Sequence, residues 1–149
     1  MNGHMGKYDS LKLENQLCFP LYAAAREIVK KYSPLLKDLD LTYTQYIVMM
    51  VLWEEESATV TKLGNRLFLD SGTLTPLIRI LEKKGYVRKQ RDKTDERIVT
   101  VSITEKGAAL RDEALKIPAE MSSCVTLEPD EAAFLYKVLH KILGDSAEK

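Results

Sequence analysis

Between Val60 and Ile103 the apolar residues run twice at helical spacing and then drop to a period of two. Val60, Leu63, Gly64 and Leu67 mark a short helix, and Leu74, Leu77, Ile78 and Leu81 a second one. Asp70-Ser71 supplies an N-cap signal between them, with Phe68-Leu69 as the connection. Gly85 stops the second helix after Lys83-Lys84, as a glycine just past a helix end does. Tyr86–Gln90 and Ile98–Ile103 then read as strands, and in the second Val99, Val101 and Ile103 alternate with Thr100 and Ser102. A charged loop, Arg91–Arg97, joins them. Helix, short helix, turn, helix and a two-stranded ribbon with a basic tip is the order of a winged helix-turn-helix. Pro76 sits past the first turn of the second helix, where it removes a hydrogen bond, so a local kink is expected there.

The flanks read as helices. Leu13, Leu17, Leu21, Ala25, Ile28, Val29 and Tyr32 recur at three- and four-residue steps, and Pro20 predicts a kink or a late start. Pro34 predicts a break near Ser33. Thr42-Tyr-Thr-Gln45 has capping-box form and opens the apolar run Tyr46–Trp53. Ser57–Val60 is a short extended piece. Thr104 caps a helix expected to run to about Met121 despite Gly107 and Pro118. A last helix carries Phe134, Leu135, Val138, Leu139, Ile142 and Leu143 on one side. The expected class is mainly α (α+β), one unit over 11–143. Residues 11–56 and 104–143 would be dimerisation helices and 57–103 the winged module. Met1–Ser10 is expected to be a disordered tail, with Met1–Met5 of the kind a cloning scar leaves, and 144–149 a second tail.

The charge is unevenly placed. The 149 residues carry 22 basic and 22 acidic side chains, a formal net charge of zero. Yet Val60–Thr100 holds ten basic and five acidic residues, leaving the remainder at −5. A basic winged block argues for DNA, with an affinity that falls as salt rises despite the overall neutrality. Ser71, Thr73, Thr75 and Arg79 are left off the apolar face of the second helix, where short hydroxyls and an arginine suit base edges and phosphates in a major groove. Arg91, Lys93, Asp95 and Arg97 form a wing tip long enough to reach a flanking minor groove, whose negative potential attracts arginine.

Short motifs narrow the class further. Asp95-Glu-Arg97 followed by Val101-Ser-Ile-Thr104-Glu-Lys-Gly107 resembles the wing and post-wing signature of the MarR family of bacterial repressors. Leu13-Glu-Asn-Gln-Leu-Cys18-Phe-Pro-Leu-Tyr22 and Leu69-Asp-Ser-Gly-Thr-Leu-Thr-Pro76 resemble the OhrR branch of organic hydroperoxide sensors and its relatives among thiol-based global regulators. The resemblance covers Leu11 to Leu143. It implies an obligate homodimer on a pseudo-palindromic operator, with the first and last two helices of each chain interleaved.

Tyr22 lies one turn from Cys18 on the same helix face. Tyr32 returns to within about 40° of that face but roughly 21 Å along the axis, so it cannot touch Cys18 within one straight helix. An antiparallel meeting across a two-fold axis would bring them together, and Tyr43 would approach from the next helix. The resemblance implies the same site. Cys18 falls on the sensing cysteine, Tyr32 and Tyr43 on its partner-chain tyrosines, and Tyr22 on a pocket position. The chemistry needs thiolate, because a free cysteine is mostly protonated at neutral pH and phenols donating to sulfur favour the charged form. Phe19, Leu21 and Met49 would suit an organic tail on the peroxide. Cys124 is the candidate resolving thiol, since one subgroup of the family uses a second cysteine in this region and the other uses low-molecular-weight thiols.

The expected function is therefore a redox-sensing repressor, bound to double-stranded DNA when reduced and released when an organic hydroperoxide oxidises Cys18. The competing readings are a repressor answering a small lipophilic or phenolic ligand, and a broader thiol-based global regulator. An enzyme is not expected: there is no Cys-x-x-Cys and no βαβ pattern for a thiol peroxidase, and His4 and His140 are the only histidines a hydrolase would have. Two cysteines and two histidines without ligand spacing give no metal site, and no cofactor is implied. The longest apolar run has eight residues against the roughly 20 of a membrane span. Without a signal peptide, a cytoplasmic bacterial protein is expected.

Overall fold

The computed structural model describes residues 6–147. The chain forms two compact units, Met1–Ile117 and Pro118–Lys149, which are taken separately. The larger begins with two short 3-10 turns, Asp9–Leu11 and Leu13–Asn15. The segment expected as a disordered tail therefore carries local structure from Gly6 onward, where the Asp9 carboxylate accepts from the Gly6 N–H and pairs with Lys12. The proposed scar lies outside the described residues.

Helix α1 spans Cys18–Leu36. Its late start answers Pro20: as the third helical residue, the proline falls in the first turn, where no carbonyl waits for its N–H. The break expected at Pro34 does not occur. Pro34 lies inside the last turn, so only one intrahelical bond is forfeited before the helix ends at Leu36. A 3-10 turn, Lys37–Leu39, follows and closes on Asp40 in the left-handed region (φ 54°). Leu36, Leu39 and Leu41 are buried there. Helix α2, Tyr43–Glu55, opens with the complete capping box: Gln45 N–H donates to Thr42 Oγ1, and Thr42 N–H donates to Gln45 Oε1. Val48, Met49 and Leu52 are fully buried, so α2 is the central core helix.

The winged module follows: β1 Ser57–Thr59, α3 Val60–Leu67, α4 Ser71–Lys83, β2 Val87–Arg91, β3 Val99–Ile103. The extended Ser57–Val60 piece becomes a third strand. It turns the expected ribbon into an antiparallel sheet of order β1-β3-β2, with Ala58 opposite Val101 and Lys89 opposite Val101 on the other side. Helix α4 is continuous through Pro76, whose missing N–H frees the Gly72 carbonyl from its intrahelical bond. Gly85 takes φ 81°, as the stop signal requires.

The helix expected from Thr104 to Met121 is two helices, α5 Glu105–Ala114 and α6 Lys116–Cys124. Pro118 cannot donate to the Ala114 carbonyl. The chain breaks at Leu115 and restarts so that Pro118 lies in the first turn of α6. The smaller unit continues with α7, Pro129–Ala147, which extends through most of the segment expected as a tail. No helix among the described residues is long and apolar enough to cross a membrane.

One glycine fixes how the wing meets α5. A Cβ on Gly107 would lie 2.1 Å from the Tyr86 carbonyl oxygen and 3.1 Å from Ile103 Cγ1, while the Gly107 carbonyl accepts from Trp53 Nε1 at 2.9 Å. Gly107→Ala must push the wing away from α5 and is expected to cost about 2 kcal/mol. A thermal melt followed by circular dichroism checks this; an unchanged midpoint would contradict the close approach.

Candidate nucleic-acid interface and thiol site

Helix α4 buries Leu74, Leu77, Ile78 and Leu81, which leaves Ser71, Thr73, Thr75 and Arg79 exposed. Its start is fixed by Asp70, whose Oδ1 accepts from the Thr73 N–H at 2.7 Å. That backbone bond is the main cause that holds the Asp70 carboxyl below its ordinary range, with the Thr73 hydroxyl adding to it. A carboxyl lowered in the folded state contributes stability above its unfolded pKa and loses it as pH falls through the folded value. Asp70→Asn keeps a capping side chain without the charge. It is therefore expected to show a smaller drop in melting temperature between pH 6 and pH 3 than wild type; an equal drop would remove Asp70 from the acid response.

The wing tip is built on two aspartates. Asp92 Oδ1 accepts from the Thr94 N–H at 2.8 Å and the Asp95 N–H at 3.0 Å, and also from the Thr94 hydroxyl. Asp95 grips the Arg97 guanidinium at both oxygens, 3.0 Å to Nε and 3.1 Å to Nη2. Arg91 Nη1 donates to the Glu96 carbonyl at 2.9 Å, bracing the base of the loop. The Thr94 hydroxyl holds Asp92 low and the Arg97 side chain does so for Asp95, so both carboxyls stay charged at neutral pH. Arg97 remains 91% exposed, aimed outward by its partner.

Strand geometry then joins wing and helix. A cleft of about 270 Å³ is lined by Thr61, Ser71, Thr75, Lys89, Arg91 and Arg97, with Val60, Ile78 and Val99 as its apolar floor. Four of the eight residues singled out for DNA, Ser71, Thr75, Arg91 and Arg97, thus share one concave basic surface. Lys93 lines a neighbouring hollow on the wing with Arg91, Asp92 and Thr94. Thr73 and Arg79 lie on the exposed face of α4 outside the cleft, and Asp95 meets it only through Arg97. Thr61 and Lys89 were not anticipated. Lys89 follows from strand period alone, since Val87, Lys89 and Arg91 alternate onto one face.

The thiol site is split along the chain. Cys18 is the first residue of α1, exposed, at the end where unpaired N–H groups and the positive pole of the helix dipole lie. Phe19, Leu21 and Tyr22 beside it are also exposed, and the Arg26 guanidinium lies 5.5 Å from the Tyr22 ring centroid. Tyr32 and Tyr43 are brought together, with ring centroids 4.8 Å apart, near the other end of α1. Tyr46 completes the cluster at 5.8 Å from Tyr32 and 6.3 Å from Tyr43, with Trp53 behind it. The sequence reading missed Tyr46, although it stands one helical step from Tyr43. Burial raises all three phenol pKa values, so they are protonated donors at any physiological pH. Cys18 and the cluster are therefore separated within one chain, as the helical rise requires. Met49, expected near the thiol, is fully buried in the core. Cys124 ends α6 in the smaller unit; both cysteines are free and exposed.

A winged helix-turn-helix with an arginine-tipped wing and a basic cleft beside α4 defines a DNA-binding regulator of the winged-helix class. Comparison with known proteins narrows this. The family model of the transcriptional regulators SarA/Rot matches residues 30–114. The organic hydroperoxide resistance transcriptional regulator of Bacillus subtilis is 44% identical over 143 residues, covering 96% of this chain and 97% of that protein. The regulator SarZ of Staphylococcus aureus strain MRSA252 is 42% identical over 140 residues, covering 92% of this chain and 95% of its own. Reduced AbfR bound to DNA superposes with a TM-score of 0.75 at 33% identity, covering 95% of this chain and 99% of that one. AbfR is also known in an overoxidized form bound to DNA and in a disulfide form. The chain belongs to the MarR family of transcriptional regulators, within the branch that holds the organic hydroperoxide resistance regulators.

Proposed function

We propose that the protein is a homodimeric repressor that holds a pseudo-palindromic operator while Cys18 is reduced and leaves it once an organic hydroperoxide has oxidised that thiol. The observation that carries this reading is the pair of protonated phenols, Tyr32 and Tyr43, held together yet roughly 21 Å along α1 from their own chain's Cys18. Two donors so placed serve a thiolate arriving from a second chain. The exposed apolar residues Leu17 at the N-cap of α1, Phe19, Leu21 and Tyr22 on α1, and Phe134 and Leu135 on α7, support such an association. The effector named for the Bacillus subtilis relative, and the reduced and disulfide forms of AbfR, support the redox reading.

The Cys18 thiolate attacks the terminal peroxide oxygen and the O–O bond breaks. Sulfur loses two electrons and becomes sulfenic acid, and the alkoxide takes a proton and leaves as alcohol. Condensation with a second thiol, Cys124 or a low-molecular-weight thiol, forms a disulfide and releases water. Each oxidation consumes one peroxide and changes the state of the protein, so it acts as a stoichiometric sensor, not an enzyme, in the bacterial cytoplasm.

On the DNA side, Ser71, Thr73, Thr75 and Arg79 face the major groove, while Arg91, Lys93 and Arg97 follow the flanking backbone and minor groove. Asp95 serves by aiming Arg97. The test is to select a duplex from random-sequence DNA with reduced protein, then add one equivalent of cumene hydroperoxide. Release reversed by dithiothreitol is expected. Selection of no preferred sequence, or binding indifferent to peroxide, would overturn the proposal.

A further inference from the structure

The end of α4 is tied to the start of α2 by a single side chain. Lys84, the C-cap of α4, donates from Nζ to the Asp40 carbonyl at 2.6 Å and to Gln45 Oε1 at 3.2 Å, with Asp40 Oδ1 at 3.5 Å. Gln45 Oε1 already accepts from the Thr42 N–H at 3.1 Å. One buried amide oxygen thus closes the capping box of α2 and anchors the C-cap of α4. The next turn is fixed alongside: Tyr86 Oη donates to the Leu39 carbonyl at 3.2 Å, and Lys106 Nζ holds the Lys84 carbonyl at 2.9 Å. Tyr43, whose ring meets that of Tyr32 at a tilt of 49°, is the first residue of that same α2 turn.

We propose that Lys84 is a positioning residue that carries the state of the tyrosine site to the DNA-reading helix. The inference rests on the redox reading above, which supplies the event that shifts Tyr32 and Tyr43. When those phenols lose the thiolate, Tyr43 moves with the first turn of α2, Gln45 moves with it, and the anchor of α4 is displaced. The ammonium is the part that matters: it reaches two acceptors on the α1–α2 corner at once, which a neutral chain of the same length does not. Contiguity alone does not demonstrate coupling, so the test measures the coupling itself.

Wild type, Lys84→Met and Lys84→Arg are each titrated, reduced and after one equivalent of cumene hydroperoxide, against one duplex selected by reduced wild type. The oxidised-to-reduced ratio of Kd is expected to lie in the roughly 5–150-fold range for wild type. It should collapse to within threefold of one for Lys84→Met and return in Lys84→Arg, with the rate of Cys18 thiol loss equal in all three. A merely structural role would weaken both redox states together and leave the ratio intact, and that result would overturn the proposal. Slower thiol loss in Lys84→Met would overturn it too. A wild-type ratio of one would instead sink the redox reading, and the coupling with it. Amide hydrogen exchange on wild type reads the same link without a variant. Oxidation should speed exchange at 84–86 together with 42–45, and unchanged protection at 84–86 contradicts the proposal.

Discussion

Cys18→Ser protein is expected to bind the selected operator within about twofold of wild type when reduced and to keep that affinity in the presence of organic hydroperoxide. Wild type should lose about 100-fold under the same treatment, within the span that two-site couplings reach. The serine hydroxyl preserves the size of the side chain at the first position of α1. It has no sulfur to oxidise, so the phenols of Tyr32 and Tyr43 never face a changed partner. The scale is plausible because register is unforgiving: two recognition helices must enter successive major grooves about 34 Å apart. A small rotation of each winged module removes contacts from both half-sites at once. Fluorescence anisotropy on the labelled duplex reads the result. Peroxide-driven release that persists in Cys18→Ser would move the sensor elsewhere, and Cys124 would be the first place to look.

The second large effect concerns the wing. Arg97→Ala removes a cation that is 91% exposed and gripped by Asp95 at both guanidinium-facing oxygens. In a dimer the loss occurs twice. Affinity for the operator is expected to fall by about 100-fold, and the slope of log K against log salt to shrink by roughly two. Asp95→Ala keeps the Arg97 charge but removes its aim together with one wing carboxylate, so the salt slope should be no smaller than in wild type while affinity falls by less. Equal slopes for Arg97→Ala and wild type would place Arg97 away from phosphate.

Much of this fold was legible because local signals agreed with one another. The Thr42 capping box, the Asp70 cap, the Gly85 stop and the alternation through Val101 each define an element end by chemistry within four residues. Sequence and fold part where the position of a proline decides its effect. Pro34 is tolerated because the helix ends two residues later, and Pro118 forces a restart at Lys116 that periodicity does not register. In sequence, strand β1 shows only as extended, since three residues carry no period and Ser57–Thr59 gains its identity from pairing with β3.

The site was legible by type more than by contact. Net charge by segment found the wing, and helical rise separated Tyr32 from Cys18. Lys84 could not be found that way: its partners stand 39 and 44 positions earlier and meet it only through the fold. Tyr46 and Lys89 are within reach of simple period counting, but each also fits an ordinary core or surface role.

A mixed dimer tests the central claim, a sensing site shared between two chains. One chain carries Cys18→Ser and the other Tyr32→Phe with Tyr43→Phe. The only remaining Cys18 then belongs to the chain without the phenols, and its partner supplies them. Stopped-flow measurement of Cys18 thiol loss against cumene hydroperoxide should give the wild-type rate in this heterodimer and a slower rate in the double-phenylalanine homodimer. A heterodimer that reacts as slowly as that homodimer would contradict a site shared across the dimer.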